Sequence, residues 1–241
     1  HHVCRVANDE DGKKYLESLQ KAGVQHIGYS KEDSEMPTGK CLIFVTPDAK
    51  RTMSSMLGIS AYLGPKDIDY DVVNDSKIFY IEGYMVTSDE NFNAVTSVLK
   101  SINNSETLKA LSLSDAGIVH GFKEKFKEIE SFGIDLIFCN DDEAVAFSGA
   151  DNLEDAILAA EKHNHEMGVV NEIVIIGGGY LFKETLPIMN KLVITKVDCN
   201  VLGDIYYPKV EMENWKLVNS ESYTKNSDND YDFKIEEYEK L

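Results

Sequence analysis

Ile173-Val-Ile-Ile-Gly-Gly-Gly-Tyr-Leu-Phe182 is the stretch on which the reading of this chain turns. Four β-favouring residues run straight into Gly177-Gly178-Gly179, and an amphipathic segment from Tyr180 to Leu186 follows at once. The pattern predicts a buried parallel strand, a glycine turn and a helix N-terminus. Free N–H groups and the positive end of a helix dipole at such a turn favour an anion, often a phosphate. Glycines also let a ligand approach the backbone with no Cβ in the way. A tight strand-to-helix turn that holds no ligand fits the same residues, because glycine punctuates turns of every kind.

Downstream, Leu192-Val-Ile-Thr195 reads as a strand and Gly203-Asp-Ile-Tyr-Tyr-Pro208 as a turn. Antiparallel strands are expected near Trp215–Ser220 and Phe233–Tyr238, the latter from its polar/apolar alternation. In this order the motifs resemble the C-terminal third of dihydrofolate reductase, over residues 153–241. The resemblance implies NADPH as cofactor. It implies that Gly177 and Gly178 form a pair joined by a cis peptide, and that Gly177, Gly178, Gly179, Tyr180 and Leu181 receive the cofactor pyrophosphate. Ile176 would touch the pterin through its carbonyl, and Thr195 would support the catalytic acid. Tyr180 stands where that family often has Arg or Ser, so no added cation meets the phosphate.

Upstream, strands alternate with helices at βα spacing. Lys77–Ile81, Leu108–Leu113 and Ile134–Cys139 read as strands, and Lys13–Ala22, Asn91–Ser101, Gly117–Ile129 and Ala144–Phe147 as helices. Phe92, Val95, Val98 and Leu99 form the apolar stripe of the second helix. Ile68–Val73 reads as a short helical piece. The fold class is therefore α/β, a mostly parallel sheet with helices on both faces. Cys41–Thr46 and Thr52–Ser60 interrupt the rhythm as a hairpin around Pro47-Asp-Ala-Lys-Arg51. Such an insertion is a lid over a site or an edge hairpin with no role.

Val6–Gly12, Thr38–Met53, Ile81-Glu-Gly-Tyr84, Ser112-Leu-Ser-Asp115 and Ile137-Phe-Cys-Asn-Asp-Asp-Glu-Ala144 resemble successive motifs of the PfkB (ribokinase-like) kinases, the adenosine-kinase-like branch above all. The resemblance covers residues 1–149 and implies Mg-ATP. It assigns Asn140 and Glu143 to the magnesium and phosphate region, and Arg51, in the lid hairpin, to the neighbourhood of the transferred phosphate. A carboxylate and an amide oxygen at a strand's C-terminal end suit a hydrated Mg²⁺. Asn140 as a helix cap with Glu143 completing a capping box is the alternative, and both roles are compatible.

Composition narrows the partners. The charge is −18, from 42 acidic against 24 basic residues. Binding a phosphate backbone or an anionic membrane needs clustered Lys and Arg, so neither nucleic acid nor membrane is expected. Small-molecule nucleotides remain. No apolar run has the length of a membrane span and no signal peptide is visible, which points to the cytoplasm. Cys4, Cys41, Cys139 and Cys199 lie far apart and read as reduced, partly buried thiols. His163 and His165 stand at i, i+2 on an expected helix and point to different faces.

The two resemblances meet near Phe147–His163, with no linker rich in Pro, Gly or Ser. Residues 1–150 and 151–241 are thus expected to be a chimera-like join of two truncated parts. The Asp-Thr-x-Gly-Ala-Gly-Asp run of the kinases, which carries their base and anion hole, does not occur in these residues. Neither does the reductases' Gly-Arg-x-Thr segment, and the acidic residue beside their pterin belongs to the first long helix, outside the resemblance. The expectation is an incomplete active site with no catalytic residue assigned. A working NADPH-dependent reductase, a working adenosine or carbohydrate kinase, and a non-catalytic nucleotide-binding module are the other readings.

Overall fold

The computed structural model describes residues 1–27, 35–48, 51–166 and 172–241. In chain order its regular elements are β1 (His2–Val3), α1 (Glu10–Lys21), β2 (His26–Ile27), β3 (Lys40–Val45), β4 (Arg51–Met56), α2 (Tyr70–Asn74), β5 (Ile78–Glu82) and α3 (Asp89–Ser101). There follow β6 (Leu108–Ser112), α4 (Ala116–Gly121), α5 (Lys123–Glu130), β7 (Leu136–Phe138), α6 (Asp141–Ser148) and α7 (Leu153–Glu166). The last are α8 (Gly179–Thr185), β8 (Lys191–Val197), β9 (Trp215–Tyr223) and β10 (Phe233–Lys240). The chain is α/β, as its pattern predicts, and divides into two compact units, His1–Ala156 and Ile157–Leu241.

The first unit is built on a parallel sheet of order β5-β6-β7. Glu82 pairs with Ser112, and Ser112 with Phe138, so the three strands end at one level. Crossover helices follow from local signals. Ser88 caps α3 by accepting the Asn91 N–H, Asp89 and Glu90 sit in its first turn and Lys100 in its last, all favourable to the helix dipole. Val95, Val98 and Leu99 of its predicted stripe are buried and Phe92 is half-buried. These side chains join Ile81, Leu111, Leu113, Val119, Phe126 and Ile129 in cores on one face of the sheet. On the other face Tyr80 and Phe138 meet edge-on, ring centroids 6.2 Å apart, and both are exposed.

The β3–β4 hairpin forms its own antiparallel ladder, with Cys41 opposite Ser55 and Val45 opposite Arg51. Its return strand ends at Met56 rather than Ser60. Gly58 ends it, turning at φ 54° with Pro37 O 2.2 Å from where a Cβ would stand, and a 3-10 turn follows over Gly58–Tyr62. Ala49 and Lys50 of the expected hairpin turn lie outside the described residues. Asp9 ties the N-terminal helix down: its carboxylate accepts from the Thr38 hydroxyl (2.6 Å), the Thr38 N–H (2.9 Å) and the Gly12 N–H (2.8 Å). Those bonds hold its pKa at about 2. Arg5 and Asp67 form a buried ion pair, with Nη2 donating to Oδ1 at 3.0 Å.

The second unit carries an antiparallel sheet of order β8-β10-β9, with Thr195 opposite Ile235 and Phe233 opposite Tyr223. Leu192, Trp215 and Tyr238 form its buried cluster, and Leu186 and Met189 pack against them.

Four expectations are corrected. Ile173–Ile176 pairs with no strand among the described residues, and Val174 and Ile176 are 64% and 81% exposed. Asn171, which precedes that stretch, lies outside them. A strand needs a neighbour to take its N–H and C=O groups. An apolar run records only what the segment could bury, and here no ladder receives it. The expected single helix over Gly117–Ile129 is two, α4 and α5, because Phe122 leaves helical geometry (φ −125°, ψ 30°) after the weak helix-former Gly121. Only Cys4 is half-buried, its thiol pushed up to about 11 by burial, whereas Cys41, Cys139 and Cys199 are exposed. Among the described residues every peptide bond is trans, Gly177–Gly178 included.

Candidate functional site

The carboxyl ends of β5, β6 and β7 bring four of the sequence motifs together. At the end of β7, Asn140 caps α6. Its Oδ1 accepts the Glu143 N–H at 2.8 Å, while Glu143 accepts the Asn140 N–H at 3.1 Å and the Asn140 side-chain amide at 2.9 Å. This reciprocal box satisfies helix N–H groups that would otherwise have no partner. Glu143 is only 7% exposed, so the box also holds a carboxylate at the sheet's edge. Gly149 closes α6 in the left-handed region, φ 76°.

At the end of β6, the Leu113 N–H bonds the Phe138 carbonyl, Ser114 follows, and Asp115 caps α4 by accepting the Ile118 N–H. At the end of β5, Gly83 lies so near β6 that a Cβ on it would stand 2.6 Å from both the Ser112 and Leu113 carbonyls. Tyr84 comes next. Burial raises its phenol pKa, and the charges of Asp115, Glu143, Glu82 and Cys41 raise it further. The Cys139 thiol, though its residue is exposed at the surface, is raised by the loss of water on the side that faces the protein and by Glu143. The mouth is thus acidic and holds a phenol and two thiols.

Both Glu143 oxygens already accept one hydrogen bond each from Asn140, and each retains a lone pair. Hydrated Mg²⁺ keeps several waters and is held through one or two carboxylates with the phosphates of its nucleotide. The Asn140–Glu143 pair fits that water-mediated role. Among the described residues no group of three or more His, Cys, Asp and Glu side chains is disposed to cage a bare ion. Arg51 stands at the turn end of the hairpin, opposite Val45, whereas Cys41, at the other end, is the hairpin residue that acts on Tyr84.

The glycine turn is arranged differently. Gly177 has φ 157°, and Gly178 precedes α8 with no side-chain cap. Ile205 Cγ2 lies 2.5 Å from where a Gly179 Cβ would stand, so close packing alone accounts for that glycine. Tyr180 is 86% exposed, Leu181 half-buried, and the Ile176 side chain points to solvent. Thr195 lies mid-strand in β8.

Two features escape sequence reasoning. Ser114 adopts φ 69° without being Gly or Asn, and nothing in its residue type signals that. Arg5 and Asp67 meet across 62 positions, with no local pattern to announce them.

The first unit is thus an α/β scaffold whose polar groups gather at the carboxyl ends of its parallel strands, the edge at which open α/β sheets hold ligands. Residues 1–179 match the family model for pfkB family carbohydrate kinases, and the chain belongs to that family. Residues 136–240 match the model for dihydrofolate reductase, so the two matches overlap over 136–179. Among solved structures, adenosine kinase from Sinorhizobium meliloti is 31% identical with a TM-score of 0.62, covering 66% of this chain and 49% of that one. Anopheles gambiae adenosine kinase, at 23% identity and a TM-score of 0.57, covers 64% and 47% and shows the shared fold. Dihydrofolate reductase of Buchnera aphidicola subsp. Acyrthosiphon pisum is 35% identical over 88 residues, 36% of this chain and 50% of the relative. That of Bacillus subtilis is 39% identical over 69 residues, 29% of this chain and 41% of the relative. The chain spans about half the length of the relatives it matches.

Proposed function

We propose that these residues join a kinase-type region, 1–150, to a reductase-type region, 151–241, and bind a magnesium nucleotide at the carboxyl ends of β5, β6 and β7 without completing either family's reaction. The observation that carries this reading is the buried Asn140–Glu143 box beside Glu82–Tyr84 and Ser112–Asp115. The two families use ATP and NADPH in general. Of the two candidate ligand regions, the strand ends present polar groups fixed by hydrogen bonds, while the run leading into the glycine turn pairs with no strand among the described residues and Tyr180 is exposed.

Turnover asks for more than binding. Phosphoryl transfer depends on positioning and electrostatic stabilisation of the transferring group. Asn140, Glu143 and Arg51 supply part of that, with no base assigned. Hydride transfer to a pterin needs a proton donor, and positioned acid–base catalysis contributes about 10²–10⁴-fold. Asp198 and Asp204 follow the Thr195 strand and are no substitute for it. The acidic surface suits a small-molecule partner rather than nucleic acid or membrane, and a cytoplasmic setting. No helix among the described residues is long and apolar enough to cross a membrane.

Calorimetric titration with Mg-ATP and with NADPH tests the reading, run beside an ADP-release assay on adenosine and ribose and an NADPH-oxidation assay on dihydrofolate. Mg-ATP binding without ADP release or NADPH oxidation is the expected result. ADP release lost in Glu143→Ala would establish a working kinase instead, and NADPH oxidation lost in Gly178→Val a working reductase. Binding of neither nucleotide would overturn the proposal.

A further inference from the structure

Ser114 is the one non-glycine residue with positive φ among the described residues, at 69°. Serine gains little there and needs its surroundings to hold it. Its hydroxyl lies between two strand ends. The oxygen accepts the Gly83 N–H at 2.8 Å, and the hydroxyl reaches Glu82 Oε2 at 3.3 Å. The Ser114 carbonyl accepts the Tyr84 phenol at 3.3 Å. Ser114, two residues beyond β6, therefore contacts the last residue of β5 and the two that follow it. Gly83 is pressed against the Ser112 and Leu113 carbonyls from the same side. The Leu113 N–H, bonded to the Phe138 carbonyl, sets the end of β6 level with the end of β7, from which Asn140 and Glu143 arise.

We propose that Ser114 is a positioning residue: its hydroxyl locks the ends of β5 and β6 together and thereby fixes where Glu82 and Tyr84 stand beside the Asn140–Glu143 box. The consequence for ligand affinity rests on the magnesium-nucleotide reading above, whereas the clamp itself does not. The raised Tyr84 phenol is in keeping with it, since burial and then Asp115 before α4, Glu143 on α6, Glu82 at the end of β5 and Cys41 on the hairpin all act on it. A turn residue that merely reverses the chain would need its backbone conformation and not its hydroxyl.

Two substitutions separate these roles. Ser114→Gly removes the hydroxyl and suits φ 69°, whereas Ser114→Ala removes the hydroxyl and keeps the unfavourable backbone. Three quantities are read: Mg-ATP affinity by calorimetry, Tm, and the ¹³Cζ resonance of Tyr84 in the ligand-free protein, assigned with Tyr84→Phe. Ser114→Gly should weaken Mg-ATP binding about tenfold, because Glu82 and Tyr84 lose the hydroxyl that fixes them beside the box. Its Tm should stay within about 4 °C of the parent, and the Tyr84 resonance should move. Ser114→Ala should show the same losses with a lower Tm. Parent-like affinity and an unmoved resonance in Ser114→Gly would overturn the clamp, as would failure of that variant to fold. Should the parent bind no Mg-ATP, the nucleotide reading falls and the Tyr84 resonance decides alone: displaced in Ser114→Gly it upholds the clamp, unmoved it refutes it.

Discussion

Two turns in this chain lead from a β-favouring run into a helix, and only one of them is built. At Asn140 the run before it, Leu136–Phe138, pairs with β6, and the turn closes in a reciprocal box. At Gly177–Gly179 the run is longer, yet Ile173–Ile176 joins no ladder among the described residues and Gly178 offers no side-chain cap. A capping box is complete within four residues, so it forms wherever the local chain permits. A strand is half of an interaction, and its apolar content states a requirement that a neighbour must meet. The glycines teach the same thing, since Gly83 is demanded by two carbonyls pressing on it, while no heavy atom of the described residues lies within 4 Å of a Cβ built on Gly177 or Gly178.

The sharpest break of this contrast comes from truncating the same residue type on both sides. Ile81 leads into the β5 end and is 2% exposed. Ile81→Ala should destabilise the protein by about 2–5 kcal/mol, the range for opening a cavity in a packed core. Urea unfolding followed by far-UV circular dichroism measures it, and a loss under about 1 kcal/mol would mean that the core yields around the site. Gly83→Ala should come next, at about 1–3 kcal/mol, because backbone carbonyls cannot move aside as a flexible side chain can. The same unfolding experiment reads it, and a neutral result would remove the close approach of β5 and β6 from the account.

What the sequence made legible follows the same division. Asn140 announces its helix because a cap acts over three residues, and the α3 stripe is visible because its period is local. The hairpin and the C-terminal antiparallel strands were readable from alternation and turn residues. Ser112-Leu-Ser-Asp115 stood out as a motif, but the left-handed Ser114 within it did not, because serine does not advertise that conformation. The Arg5–Asp67 pair, the packing of Ile205 on Gly179 and the break at Phe122 depend on tertiary neighbours, which a local pattern does not contain.

The box itself gives a smaller and more specific test. Glu143→Ala leaves the Asn140 N–H and side-chain amide without their acceptors. Loss of the reciprocal half of the capping box, with its buried acceptors, should cost about 1–2 kcal/mol. It should also abolish the Mg-ATP heat seen by calorimetry. Glu143→Gln keeps an acceptor oxygen but no charge, so it should recover most of the stability and little of the binding. Recovery of both in Glu143→Gln would reduce Glu143 to a structural cap and remove the charge from the nucleotide site.

The smallest effect is expected where the sequence reading placed the most weight. A buried parallel strand at Ile173–Ile176 would make Ile176→Ala as damaging as Ile81→Ala, since both would empty a packed site. Ile176 is 81% exposed and lies on a segment that pairs with no strand among the described residues, so its side chain has little contact to lose. Substitutions at such positions usually change stability by less than about 0.5 kcal/mol, and Ile176→Ala should fall within that limit in urea unfolding. Amide exchange gives the second view: without ladder bonds the Val174 and Ile176 amides should exchange far faster than those of Tyr80 and Ile81. A loss above about 2 kcal/mol in Ile176→Ala, with amides as protected as those of β5, would show that this run does find a neighbour. The glycine turn would then stand at the carboxyl end of a true strand, and the contrast between the two turns would disappear.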